Sequence, residues 1–311
     1  MATLICGSFA YDTIMVFDDQ FKNHILPDQV HILNVCFLVP NMRREYGGCA
    51  GNIAYNLNLL GGDPLPMGTV GHDFAPYGDW LDRCGIDRRF VTEVPGTYTA
   101  QAYITTDMDD NQITAFHPGA MNEAHCNAIT HSDGVDLAIV SPDGRQAMLD
   151  HAQQLAELDV PFIFDPGQGL PMFNGNELKE FIRLARYVTV NDYEGQLLQE
   201  RTGLSLEQLA GEVEALIVTK GGEGSSIMTN GDTITLPAVP IKKAEDPTGC
   251  GDAYRAGLLY GIVNGLDWRI TGQIASLMGA IKIESHGTQN HSFTPKEFAA
   301  RFEQQFGHSF S

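Results

Sequence analysis

The residues best suited to chemistry lie in one run in the last quarter of the chain, Asp246-Pro247-Thr248-Gly249-Cys250-Gly251-Asp252-Ala253. The run leads directly into apolar, helix-compatible positions at Ala256, Leu258, Leu259 and Ile262. A small-residue loop that opens a helix presents successive backbone N–H groups, and the positive end of the helix dipole, to an anion. Gly249 and Gly251 let that backbone approach a ligand with no Cβ in the way. Asp252 falls within or just before the first helical turn, and two readings of its carboxylate stand. It caps the helix, or it takes a proton from a hydroxyl that attacks a phosphate held by those N–H groups.

Four further groupings carry candidate chemistry, each with a plain structural alternative. Gly47-Gly48-Cys49-Ala50-Gly51-Asn52 precedes a helical stretch that ends at Gly61-Gly62. Its paired glycines would admit a small ligand against the backbone while Asn52 donates and accepts hydrogen bonds, or the run is a tight strand-to-helix turn with Asn52 as a cap. Asp12, after the first strand, would accept from two neighbouring sugar hydroxyls or cap a turn. Asn191-Asp192-Tyr193-Glu194 would orient water around a divalent cation through Asn191 and Glu194, or form a capping box. Thr219-Lys220-Gly221-Gly222-Glu223-Gly224 follows a buried strand and would let a nucleotide pass close to the backbone. It is neither a P-loop nor a dinucleotide fingerprint, and a Gly-rich hairpin turn is the alternative.

The elements that must hold these residues are short apolar runs alternating with helix-period segments. Leu4–Cys6, Leu137–Val140, Phe162–Phe164, Tyr187–Val190 and Ala215–Thr219 read as buried parallel strands. Segments 146–158, 177–185 and 194–201 read as helices between them, and Thr294 caps a closing amphipathic helix to Phe306. This rhythm implies a parallel sheet covered on both faces, with ligands beyond the carboxyl ends of its strands, where Ser141, Asp165, Asn191 and Lys220 fall. Two stretches break the rhythm: His31–Val39, and Thr97–Thr106 with Gln112–Phe116, a hairpin around Asp109-Asp110-Asn111. They read as a small separate sheet, either a lid over a site or decorative edge strands.

Composition narrows the class. The chain has 311 residues, 43% of them hydrophobic, and a formal net charge of −20. That acidity argues against nucleic acid as a partner, since phosphate backbones need clustered Lys and Arg, but not against a small phosphorylated ligand. No apolar run reaches bilayer-spanning length, and the start reads as a first strand rather than a secretory signal. Six cysteines without metal-ligand spacing fit a reducing, cytoplasmic setting with no disulfide and no structural zinc.

Taken in order, the Gly47–Asn52 turn, Asn191 with Glu194, Thr219-Lys220-Gly221-Gly222 and the Asp246–Asp252 run resemble the ribokinase (PfkB) family of carbohydrate and nucleoside kinases across essentially the whole chain. The resemblance implies an α/β fold, a Rossmann-like three-layer sandwich with a mostly parallel central sheet and a small β-sheet lid. It implies one domain over 1–311, with lid segments at approximately 13–45 and 96–118. Phosphate would pass from ATP to a primary hydroxyl, with Asp252 as base and the N–H groups of Gly249, Cys250 and Gly251 as anion hole. Asn191 and Glu194 would organise Mg²⁺ through water. Thr219, Lys220, Gly221, Gly222 and Gly224 would belong to the nucleotide site, with Gly287 near the adenine of ATP. Asp12, Gly48 and Asn52 would grip the acceptor. A monovalent cation such as K⁺ would lie by Asp246, Thr248 and the residues around Ser285.

Cys250 stands where many members carry Ala, and Cys49 where ribokinases carry Lys, which disfavours ribose as acceptor. Segments 47–52, 114–120 and 284–289 are similar to bacterial adenosine kinases, so adenosine is the expected acceptor, with Phe116, Phe9 and Tyr103 as candidate faces for a flat base. A sugar kinase of the same family and a non-catalytic nucleotide-binding protein are the alternatives. No membrane partner is expected, and either a monomer or a homodimer is compatible.

Overall fold

A computed structural model describes residues 1–25, 34–109, 111–131 and 134–310. Among these residues the strands are β1 (Ala2–Cys6), β2 (Ala10–Val16), β3 (Asn41–Gly47), β4 (Asp63–Val70), β5 (Phe90–Glu93), β6 (Ala100–Thr106), β7 (Gln112–His117), β8 (Val135–Val140), β9 (Phe162–Phe164), β10 (Tyr187–Asn191), β11 (Ala215–Thr219), β12 (Ser225–Thr229) and β13 (Asp232–Leu236). Nine of them form one sheet in the order β13-β12-β11-β10-β9-β8-β1-β4-β5, parallel from β11 to β5 and antiparallel beyond. The other four form a second sheet in the order β3-β2-β6-β7.

The expected apolar strands all lie in the large sheet, because both of its faces are covered. Leu4, Ala138, Phe162, Val188 and Leu216 point into one core with α3 (Arg145–Glu157), α4 (Gly175–Leu184), α5 (Asp192–Thr202) and α6 (Leu206–Ala210). Their neighbours Ile5, Ile139, Ile163 and Ile217 point into the other, with α1 (Cys49–Leu59), α2 (Ala75–Cys84), α7 (Cys250–Val263) and α8 (Trp268–Ile283). Strands buried on both sides need apolar side chains at consecutive positions. β4 was not legible in this way, since Pro64 and Pro66 interrupt it. β5 pairs only with Met67–Val70, so those prolines lie in a stretch paired to β1 alone, with one open side where a sheet tolerates a missing donor.

Helices α7 and α8 pack so closely that a Cβ on Gly257 would overlap the Ala275 backbone. That contact brings the end of α8 beside the loop that opens α7. The closing helix α9 (Pro295–Phe306) has Thr294 as its cap with a full capping box. No helix among the described residues is long and apolar enough to cross a membrane.

The second sheet corrects one expectation. Of the stretch His31–Val39, residues 31–33 lie outside the described residues and 34–39 form no strand. The lid strand in this region is instead β3, whose mixed sequence Asn-Met-Arg-Arg-Glu-Tyr-Gly has no apolar run to announce it. Its mate β2 runs from Ala10 to Val16, so Asp12 sits in a strand rather than a turn. The expected hairpin forms as β6 and β7, although Asp110 at its tip lies outside the described residues.

Candidate active site

The amino end of α7 is left open. Gly249 precedes the helix at φ 78°, a left-handed conformation suited to glycine, and no side chain caps the first turn. Cys250 N–H donates to the Pro247 carbonyl at 3.2 Å. The amides of Gly249, Gly251 and Asp252 have no acceptor among the described residues, leaving donors free for an anion at the dipole's positive end. Asp252 does not cap its own helix. Its Oδ2 accepts from Asn52 Nδ2 at 2.8 Å, across two hundred residues of chain. Burial pushes its pKa up to about 6, against the opposing pull of the Asn52 hydrogen bond and the Arg255 guanidinium.

The Asn52 carboxamide is oriented by a chain of bonds whose polarity has one starting point. An indole N–H can only donate, so Trp80 Nε1 at 2.8 Å fixes Gln289 Oε1 as the acceptor. Gln289 Nε2 then donates to Asn52 Oδ1 at 3.0 Å, which turns Asn52 Nδ2 toward Asp252. The Tyr77 hydroxyl accepts from the same Gln289 amide and donates to the Gly47 carbonyl at 2.9 Å. Asn52 therefore meets the candidate base directly.

One turn along α7, Arg255 makes a two-pronged ion pair with Asp165 at 2.6 and 2.7 Å, and Arg255 Nη1 donates to the Gly251 carbonyl at 3.2 Å. Its guanidinium also lies 4.0 Å from Glu194. Both partners are almost wholly buried, so the pair braces the anion turn from behind. Arg255 was missed in the sequence, although a charge between Tyr254 and Ala256 in an apolar helix was a readable sign of a buried pair.

Asp12 reaches the same region from the lid. Its carboxylate lies where a Gly47 side chain would be, with Oδ2 2.5 Å from that Cβ position, and Gly48 turns at φ 86° to enter α1. Burial first, then the charges of Asp246 and Glu45, raise the Asp12 pKa to about 6. Strand register aligns Asp12 with Ala102, and Ala102 with Phe116, so the Phe116 ring shares the Asp12 face and is 54% exposed. The other two candidate ring faces do not fit a base. Phe9 is 0% exposed and packs edge-on against Phe74 and Tyr77, while Tyr103, one residue out of phase, lies on the opposite face and bonds Gln101.

At the carboxyl ends of β10 and β11, Asn191 and Thr219 stand side by side in register. Asn191 and Glu194 form the full capping box of α5, at 2.8 and 2.7 Å. Burial and the neighbouring Asp165 raise the Glu194 pKa. The Lys220–Gly224 turn closes through Lys220 N–H to the Gly224 carbonyl, and Cβ atoms on Gly221 or Gly222 would meet nothing, so it is a hairpin turn with an open face. Gly287 lies elsewhere: its N–H donates to Asp246 Oδ2 at 2.9 Å and its Cα faces Asn290 and the lid's Glu45.

The donors suit two implied cations very differently. Among the described residues no cluster of three His, Cys, Asp or Glu could cage a metal ion. A lone partly free carboxylate such as Glu194 fits an octahedral Mg²⁺ that arrives on nucleotide phosphates and keeps its waters. The monovalent site does not fit. Asp246 Oδ1 and Oδ2 already accept from the N–H groups of Thr248 and Gly287, and the Asp246 main-chain carbonyl is bonded by Lys282 Nζ at 2.7 Å.

Comparison with known proteins agrees with this architecture. The family model for pfkB family carbohydrate kinases matches residues 13–296. A nucleoside kinase of Burkholderia thailandensis in complex with inosine is 54% identical, with a TM-score of 0.90 and 99% of each chain covered. Its complex described as ADP-inosine is 55% identical, with a TM-score of 0.88, covering 99% of this chain and 97% of that one. A nucleoside kinase of Methanothermobacter thermautotrophicus is 29% identical over 98% of this chain and 96% of its own length.

Proposed function

The chain belongs to the pfkB family of carbohydrate kinases, and from that membership we propose that it is an ATP-dependent nucleoside kinase that phosphorylates the 5′-hydroxyl of purine nucleosides, inosine and adenosine alike. One observation carries the reading: a partly buried carboxylate, Asp252, stands beside the uncapped amino end of α7 with its pKa near the working range. A base with a pKa of about 6 is ionised at neutral pH yet close enough to it to accept a proton in the transition state. Asp252 takes the proton of the acceptor hydroxyl while the N–H groups of Gly249, Gly251 and Cys250 hold the transferring phosphoryl oxygens. The Cys250 amide must leave the Pro247 carbonyl, or share it, to take part.

Asp12 accepts from the ribose 2′- and 3′-hydroxyls, and Phe116 covers the base. Mg²⁺ bound with ATP would neutralise phosphate charge, with Glu194 placed to hold one of its waters and Thr219 to Gly224 to flank the nucleotide. Inosine joins the narrower expectation of adenosine because the Burkholderia enzyme, alike over 99% of the chain, is described in complex with it. The missing Lys at Cys49 also weighs against ribose.

ADP release should be followed across inosine, adenosine, cytidine, ribose, fructose and sugar phosphates. Purine nucleosides should turn over with kcat/KM at least tenfold above any free sugar. Ribose or fructose outperforming both purine nucleosides would refute the acceptor assignment while leaving the kinase reading standing. Absence of ADP release with every acceptor would refute the latter.

A further inference from the structure

Lys282 is the last lysine one would expect from its surroundings, since it lies between Ile281 and Ile283 near the end of α8 and is 0% exposed. Its ammonium bonds two main-chain carbonyls, Asp246 at 2.7 Å and Ser285 at 3.2 Å. Those carbonyls belong to the two loops that meet behind the phosphate-binding turn, and the Asp246 carboxylate joins the same loops through Thr248 N–H and Gly287 N–H. Helix capping explains only half of this arrangement. A lysine at a helix end often satisfies carbonyls of its own last turn, as with Ser285. Asp246, however, is on the other loop, two residues before Thr248.

We infer that Lys282 is a built-in monovalent cation, its ammonium occupying the carbonyl site where this fold would otherwise take up potassium, so that the enzyme works without K⁺. The inference concerns an enzyme of the class proposed above, and only its turnover arm depends on that reading.

Three physical points support it. Carbonyl oxygens gathered around a dehydrated cation are the usual protein ligands of K⁺, and an ammonium presents the same unit charge to them. A second cation on the Asp246 carbonyl would sit within a few ångströms of a buried ammonium, where like charges repel strongly because the dielectric is low. Burial draws the Lys282 pKa down, but the nearby Asp246 carboxylate opposes that and favours the charged form. The ammonium also ties α8, held against α7 at Gly257, to the turn that starts α7.

The test uses the full chain in tetramethylammonium chloride and in potassium chloride at equal ionic strength, reading both thermal midpoint and inosine turnover. For the unaltered protein the midpoint should agree within about 1 °C and turnover within about twofold between the two salts. Lys282→Gln should lose about tenfold or more in turnover, and K⁺ but not tetramethylammonium should raise its midpoint by about 2–4 °C and restore part of the loss. A K⁺-raised midpoint or a tenfold K⁺ activation of the unaltered protein would overturn the inference. So would a folded Lys282→Gln with full turnover and no response to K⁺. Should that variant fail to fold, the salt comparison on the unaltered protein decides. The midpoint needs no acceptor, so it judges the cation even if inosine proves the wrong substrate.

Discussion

The two carboxylates of the site reach a similar electrostatic state by opposite routes. Asp252 stands on a helix packed against the large sheet between α1 and α8, bonded by Asn52, with the Arg255–Asp165 pair beneath it. Asp12 stands on a strand of the four-stranded sheet, lodged against Gly47, and no hydrogen-bond donor among the described residues meets its carboxylate. Burial raises both to about 6. The core end of the site is thus organised before any ligand arrives, whereas the lid end has an unfilled acceptor that a pair of hydroxyls would satisfy. Preorganised groups act on the transition state and ligand-completed ones on binding, so the two ends should separate in kcat and KM.

The largest effect expected is on the core side. Asp252→Asn should lower kcat by roughly 10²-fold or more with little change in acceptor KM; near-normal turnover would break the assignment of the base. The same substitution should stabilise the ligand-free protein at neutral pH. Because the folded pKa of about 6 exceeds the usual 3.8, the unfolded chain gives up its proton first. Stability from this group is therefore lost as pH rises from about 4 through 6, and a neutral side chain removes a cost of up to about 3 kcal/mol. Thermal unfolding at pH 7.5 reads this directly, and an unchanged or lower midpoint would count against the burial argument.

On the lid side, Asp12→Asn should raise the acceptor KM by about tenfold or more while kcat falls less, since hydrogen bonds to a charged group contribute about 1.5–3 kcal/mol. A kcat loss as large as that of Asp252→Asn would erase the distinction between the two ends. Next in size, kcat should show an acidic limb with a midpoint near pH 6, because the base must be ionised to act. Gln289→Leu removes the group that turns Asn52 toward Asp252, and should move that limb upward by several tenths of a pH unit, about what loss of one oriented hydrogen bond allows. The smallest effect is expected from Phe116→Ala: a rise of a fewfold in KM for inosine, consistent with one exposed aromatic contact. Equal loss with a non-aromatic acceptor would detach Phe116 from the base.

Much of the scaffold could be read from local pattern. Strands β1, β8, β9, β10 and β11 declare themselves as apolar runs because the sheet is covered on both sides, and Thr294 announces α9 through a capping box formed within four residues. The lid was harder. β3 carries charges on an open sheet, β4 is broken by two prolines, and neither has a periodicity of its own. Phe9 and Tyr103 look in sequence like equals of Phe116, but one is sealed in the core and the other faces away by a single step of register.

The order of residue types along the chain was enough to determine the family, the parallel sheet and the small-residue turn that opens α7 at Gly249–Asp252, because those depend on interactions within a few residues or on periodicity. Tertiary structure alone decided what each polar group meets. Asp252 finds Asn52 two hundred positions away, Lys282 finds Asp246 across two loops, and Arg255 finds Asp165 across ninety residues. A charge or amide removed from water must be satisfied by whatever the fold brings to it, and spacing along a sequence does not encode that partner.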